Sequence, residues 1–322
     1  MDASIQTQSP RRPRFKTTQD WHDFVKNNRE KLTGDFLQKL RVDCYKEIEV
    51  IRGRPLLVYA SRFLDVPPRT PNTIDLSDID GFTDLVSAFK DTESIDVLLH
   101  SPGGQPDATE RIVNILRNNF SEVHFIIPHS AYSAATMLAL SGNSISLHPS
   151  ATLGPIDPQI NGIPARSIKR GFEKVREIIK NEGPEALPAY IPLLEKYSLD
   201  LLEICEDSEK LSKELVTTWL CEYMFNGTKT EDDVEQTVNY FSDYDTHLLH
   251  SRPLVFKKIK AFGLNISLAD GDFQDLIWEA YLLLNGFFTM SHFFKLYENT
   301  RGVTWGKQFQ VVSQPPQNQP PP

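Results

Sequence analysis

Three observations predict an α/β fold with a parallel sheet at its core. From about residue 52 to residue 160, short apolar runs alternate with amphipathic stretches. The runs are apolar along their whole length, as strands covered on both faces must be. Turn-forming residues follow each run, and a strand–helix–strand order with such connections builds βαβ units.

The elements follow in order. PLLVYA (55–60) is a short apolar strand, and DIDGFTDLVSAF (78–89) has helical spacing. SIDVLLH (94–100) is a second strand, followed by the turn SPGG. QPDATERIVNILRNNF (105–120) then places Ile112, Ile115 and Leu116 on one helical face. SEVHFIIPH (121–129) reads as a third strand, SAATMLALSG as a helix and NSISLHP as a fourth strand. Beyond 163 the pattern turns helical. One helix carries Ile168, Phe172, Val175 and Ile179 on its apolar face, and two more cover roughly 186–205 and 207–225. A loop around SDYDTHLLHSRPL leads to a short helix ended by Gly263, and the last helical stretch covers about 272–298. The expected organisation is a tail over 1–18, a main domain over 19–270, a helical extension over 271–310 and a Pro/Gln-rich disordered tail over 311–322.

Composition narrows the function classes. The 322 residues are 40% hydrophobic and 24% charged, enough apolar material for a substantial core. A formal net charge of −9 argues against nucleic acid as the main partner, since phosphate backbones demand clustered Lys and Arg. Cys44, Cys205 and Cys221 stand far apart, as in a reduced, cytoplasmic protein. No signal-peptide pattern opens the chain. The most apolar stretch, 277–294, is broken by Glu279, Asn285 and His292, so it reads as a buried or interface helix rather than an integral membrane segment.

Ligands of parallel sheets gather at the carboxyl ends of strands. SPGG and AYSAA both stand at such ends. Gly103 and Gly104 make either a tight turn or a loop whose backbone N–H groups approach a ligand closely. Ser133 is either a helix N-cap or a nucleophile aimed into a cleft from among Ala131, Ala134 and Ala135. In SATLGPIDPQI, Gly154, Pro155 and Pro158 form a rigid turn in which Asp157 is a capping residue. His247 and His250, three residues apart, lack the companions a metal would require, so neither a metal nor a cofactor is expected.

These motifs together resemble the ClpP/crotonase superfamily, and within it the serine dehydrogenase proteinase branch, related to SppA-type signal peptide peptidases. Members carry HTPGG or HSPGG at a strand end, a segment like HYAMSGGTLIALAAD, and LGPVDPQ. The present chain has LLHSPGG (98–104), HSAYSAATMLALSGN (129–143) and LGPIDPQI (153–160). The similarity covers roughly residues 50 to 300. It departs where Ser-Gly-Gly becomes Ser-Ala-Ala, and in lacking the N-terminal anchor of many relatives.

The resemblance implies a serine peptidase acting on a peptide or protein substrate, commonly as a homo-oligomer. Ser133 would be the nucleophile, with Gly103, Gly104 and Ala134 as the oxyanion hole. SppA-like relatives use a Ser–Lys dyad, which makes Lys169 the preferred base and Lys174 a second candidate. Lys169 flanks an apolar helical stripe, whereas Lys174 lies further toward solvent. The histidine of the ClpP triad would fall near LGPI, where this chain offers Asp157, not a direct substitute. His250 resembles a histidine of the same branch and is the alternative base. His129 reads as a buried core residue. A crotonase-type enzyme acting on a CoA thioester, and a catalytically silent scaffold, are the competing expectations.

Overall fold

The computed structural model describes residues 12–198 and 200–309. Both proposed terminal tails lie wholly or largely outside that range. The core is a seven-stranded sheet built from β1 (Leu56–Ser61), β2 (Ser94–His100), β3 (Glu122–Ile127), β4 (Ser144–Leu147), β5 (Ile266–Leu268), β6 (Phe293–Asn299) and β7 (Thr304–Gln308). Its spatial order is β7-β6-β1-β2-β3-β4-β5. The stretch from β1 to β5 is parallel, with Leu57 opposite Val97, Val97 opposite Phe125, Phe125 opposite Ile145 and Ile145 opposite Ile266. β6 and β7 add antiparallel, with Asn299 opposite Leu57.

Every residue of β1 is buried because helices cover both faces. Leu56, Val58 and Ala60 pack with α1 (Thr18–Asn27), α2 (Gly34–Arg52) and α9 (Gly271–Met290). Leu57 and Tyr59 face the other way. Their layer holds α3 (Ile79–Ser87), α4 (Pro106–Asn119), α5 (Ala134–Leu140), α7 (Leu201–Trp219) and α8 (Glu231–Ser242). Between α5 and α7, α6 (Ala165–Glu182) forms a smaller cluster through Ala165, Ile168, Leu201 and Cys205. The mixed α/β architecture with a mostly parallel sheet is the one the strand pattern predicts.

Two helical expectations change. The span 186–205 does not form one helix. Pro188 and Pro192 interrupt it, leaving a 3-10 turn (Pro184–Ala189) and a single turn at Ile191–Leu194 before α7. The final helix stops at Met290, and FFKLYEN returns as β6. Aromatic residues in an alternating register suit a strand buried on both faces better than a helix end. Within α9, Ile277, Ala280 and Leu284 are fully buried in the second layer, and no helix among the described residues is long and apolar enough to cross a membrane. Cys44, Cys205 and Cys221 are all free thiols.

Candidate active site

Local geometry sets Ser133 apart from an ordinary helix cap. Ser133 stands at the start of α5 with φ 52° and ψ −125°, and its hydroxyl makes no capping hydrogen bond. A serine that merely caps a helix adopts extended backbone angles and binds a free N–H. Positive φ at a non-glycine residue is strained, and such strain persists where surrounding structure imposes it. Here the surroundings do so. Tyr132 N–H donates to the Ser101 carbonyl at 3.1 Å, and Ser101 N–H to the Ser130 carbonyl at 3.2 Å. Thr136 Oγ1 bonds the Ala131 carbonyl at 2.8 Å, and Gly154 N–H bonds the same carbonyl at 3.0 Å. The sharp strand-to-helix turn lifts the Ser133 hydroxyl into a cleft of about 310 Å³.

The glycine loop lies against this turn. A Cβ on Gly103 would come within 2.3 Å of the Tyr132 carbonyl oxygen and 2.8 Å of the Ala134 nitrogen. One on Gly104 would meet the Ile74 carbonyl oxygen at 2.1 Å. Both positions therefore exclude any side chain. Gly103 N–H already donates to Ser101 Oγ at 3.2 Å. Among the described residues, the N–H groups of Gly104 and Ala134 have no acceptor, and both residues line the cleft with Ser133.

His250 lines the same cleft. Its Nδ1 is 2.9 Å from Asp157 Oδ1, and the Asp157 carboxylate is buried with Oδ2 unpartnered. A backbone bridge holds the two loops together, as Leu254 N–H donates to the Leu153 carbonyl at 2.8 Å. With Nδ1 on the carboxylate, His250 keeps Nε2 for a proton from elsewhere. Sequence reasoning assigned Asp157 a capping role and missed this contact. The turn prolines that make LGPIDPQ rigid were the available signal.

The lysines stand elsewhere. Lys169 Nζ, on α6, donates to Glu209 Oε2 at 2.9 Å, with Glu206 at 3.9 Å, and it is not among the residues lining the Ser133 cleft. Lys174 is exposed on α6. His129 stacks on Tyr281 and meets Ser130 Oγ at 2.7 Å, and burial lowers its pKa. His247 is buried, with Nε2 on the Tyr240 carbonyl. Among the described residues no three His, Cys, Asp or Glu side chains group as metal ligands.

α7 closes the cleft with Ser208 and Ser212, and Met137 and Ile156 complete its apolar lining. Among the described residues, no Lys, Arg, Asp or Glu side chain lines it.

Several known proteins are similar to this chain. An uncharacterized protein of Methanocaldococcus jannaschii is 28% identical over 204 residues, covering 60% of this chain and 69% of that protein. A second from the same organism is 34% identical over 101 residues, covering 31% and 35% respectively. Among solved structures, a mutant of ClpP1 from Listeria monocytogenes aligns with a TM-score of 0.40 at 10% identity, covering 74% of this chain and 99% of that one. A mutant of the 1510-N membrane-bound stomatin-specific protease in complex with a substrate peptide gives 0.37 at 18% identity, covering 63% and 73%. The family model of ClpP-like SDH-type serine proteinases matches residues 33–188, a span that holds both the Gly103–Gly104 loop and the Ser133 turn. By that match residues 33–188, a little under half of the chain, are similar to the ClpP-like SDH-type serine proteinases.

Proposed function

We propose that this protein hydrolyses peptide bonds through a Ser133–His250–Asp157 triad. The observation that carries the reading is the uncapped, positive-φ Ser133 sharing one cleft with a histidine held by a buried carboxylate. Ser133 Oγ attacks the substrate carbonyl carbon while its proton passes to His250 Nε2. Asp157 fixes the imidazole tautomer and offsets the charge the ring acquires. The N–H groups of Gly104 and Ala134 receive the oxyanion. The imidazolium then protonates the leaving amine as the C–N bond breaks, giving the Ser133 acyl ester. Water, deprotonated by His250, hydrolyses that ester and restores the serine.

We prefer this reading to the Ser–Lys dyad suggested by the SppA-like resemblance, because Lys169 is paired with Glu209 while His250 lines the same cleft as Ser133. A fluorophosphonate probe tests it. Wild-type protein is expected to label at Ser133, while Ser133→Ala and His250→Ala do not. Labelling that survives Ser133→Ala, or an unlabelled wild-type protein, overturns the assignment.

A further inference from the structure

A buried charged cluster lies outside the cleft yet touches its wall. Lys295, on β6, is fully buried. Its Nζ lies 2.8 and 3.0 Å from the two oxygens of Asp78, 3.1 Å from Asp75 Oδ2 and 2.6 Å from the Thr73 carbonyl oxygen. Asp78, also fully buried, accepts further hydrogen bonds from Tyr59, Tyr297, Lys307 and the Asp75 N–H. Buried ion pairs are poor sources of net stability, because desolvation offsets the attraction, so their geometric effect becomes the question.

That effect points at the glycine loop. Thr73 lines the cleft beside Gly104. The next residue, Ile74, donates its N–H to the Gly103 carbonyl at 2.7 Å and accepts the Gln105 N–H at 2.8 Å. The Gly103–Gly104 loop is thus hydrogen-bonded to a segment that Lys295 grips by its backbone. Resting on the Ser133 reading above, we propose that Lys295 is a positioning residue: through Thr73 and Ile74 it holds the Gly104 N–H where the oxyanion forms. It touches no substrate.

The same strand supplies a control. Glu298, on the opposite face of β6, is fully buried and accepts from Arg41 at 2.8 and 2.9 Å and from Tyr45 at 2.9 Å. All three contacts go to α2, away from the glycine loop. Positioning and mere stability therefore separate within one strand.

The experiment compares fluorophosphonate inactivation of wild type, Lys295→Met and Glu298→Gln, resolved into kinact and KI and expressed per folded molecule. Lys295→Met is expected to lower kinact by about 10-fold to 100-fold with KI changed by less than about threefold, the signature of a displaced catalytic group. Glu298→Gln is expected to lower the melting temperature and leave kinact unchanged. Amide exchange at Ile74 and Gln105 should accelerate in Lys295→Met and not in Glu298→Gln. Wild-type kinact in folded Lys295→Met, or an equal fall in Glu298→Gln, overturns the proposal while leaving the triad intact. If Lys295→Met does not fold, Asp75→Asn decides: a smaller fall in kinact is expected, and wild-type kinact overturns the proposal. An unlabelled wild-type protein would instead remove the triad reading, and this inference with it.

Discussion

The two sides of the cleft are made in different ways. The Ser133 side is local: a strand ends, the chain turns through a strained residue, and small neighbours leave room for a glycine loop. The His250 side is assembled over distance. His250 and Asp157 are 93 residues apart in sequence, and meet because the Leu153–Leu254 bridge brings two loops together. A nucleophile that needs strain is best built where strand and helix impose it. A base needs only orientation, which a buried carboxylate supplies from any loop.

The largest test of this comparison removes one member from each side. Ser133→Ala and His250→Ala should each abolish labelling and hydrolysis, and the double variant should be no worse, since members of one catalytic unit are not additive. Residual activity in His250→Ala near the wild-type level would break the pairing of the two sides. Gly104→Val comes next. Its side chain must displace the Ile74 carbonyl, so turnover should fall by about 10²–10³, the usual loss for one oxyanion donor. Unaltered turnover would take the loop out of the mechanism.

The third test sharpens the local side through pH. His100, at the end of β2, is buried, and burial with His129 nearby lowers its pKa from 6.5 to about 3. The unfolded chain therefore binds more protons between those values, and stability falls as pH drops from 6.5 toward 3. The slope from this group approaches about 1.4 kcal/mol per pH unit well below 6.5. His100→Gln should flatten the acid limb of a melting-temperature profile, and an unchanged limb would assign the acid sensitivity elsewhere. The smallest effect belongs to α6. Lys169→Ala loses its ion pair with Glu209, worth about 0–1 kcal/mol for a pair near the surface. Labelling should be unchanged; its loss would return the base to the lysine.

What was legible in the sequence follows the same division. The β1–β4 alternation, the glycine turn and the serine among alanines are patterns within a few residues, and all stand where the sequence places them. The helical wheel that set Lys169 beside the apolar stripe of α6 had its half-buried position right, but a wheel does not show that Glu209 of α7 faces it. Asp157 looked like a capping residue because its partner lies in a loop with no periodic pattern. β6 was read as a helix end because its aromatic residues continue the apolar run of α9, and only the pairing with β1 gives them strand geometry.

That pairing also governs when the molecule can exist. β6 inserts between β7 and β1, with Asn299 opposite Leu57. Contacts so distant along the chain close late, because loop entropy opposes them until most of the chain is present. While the ribosome is still making residues 293–299, β1 has an open edge and Thr73 lacks the ammonium that grips it. A nascent chain therefore carries Ser133 long before it carries the strand that closes the β1 edge of the sheet.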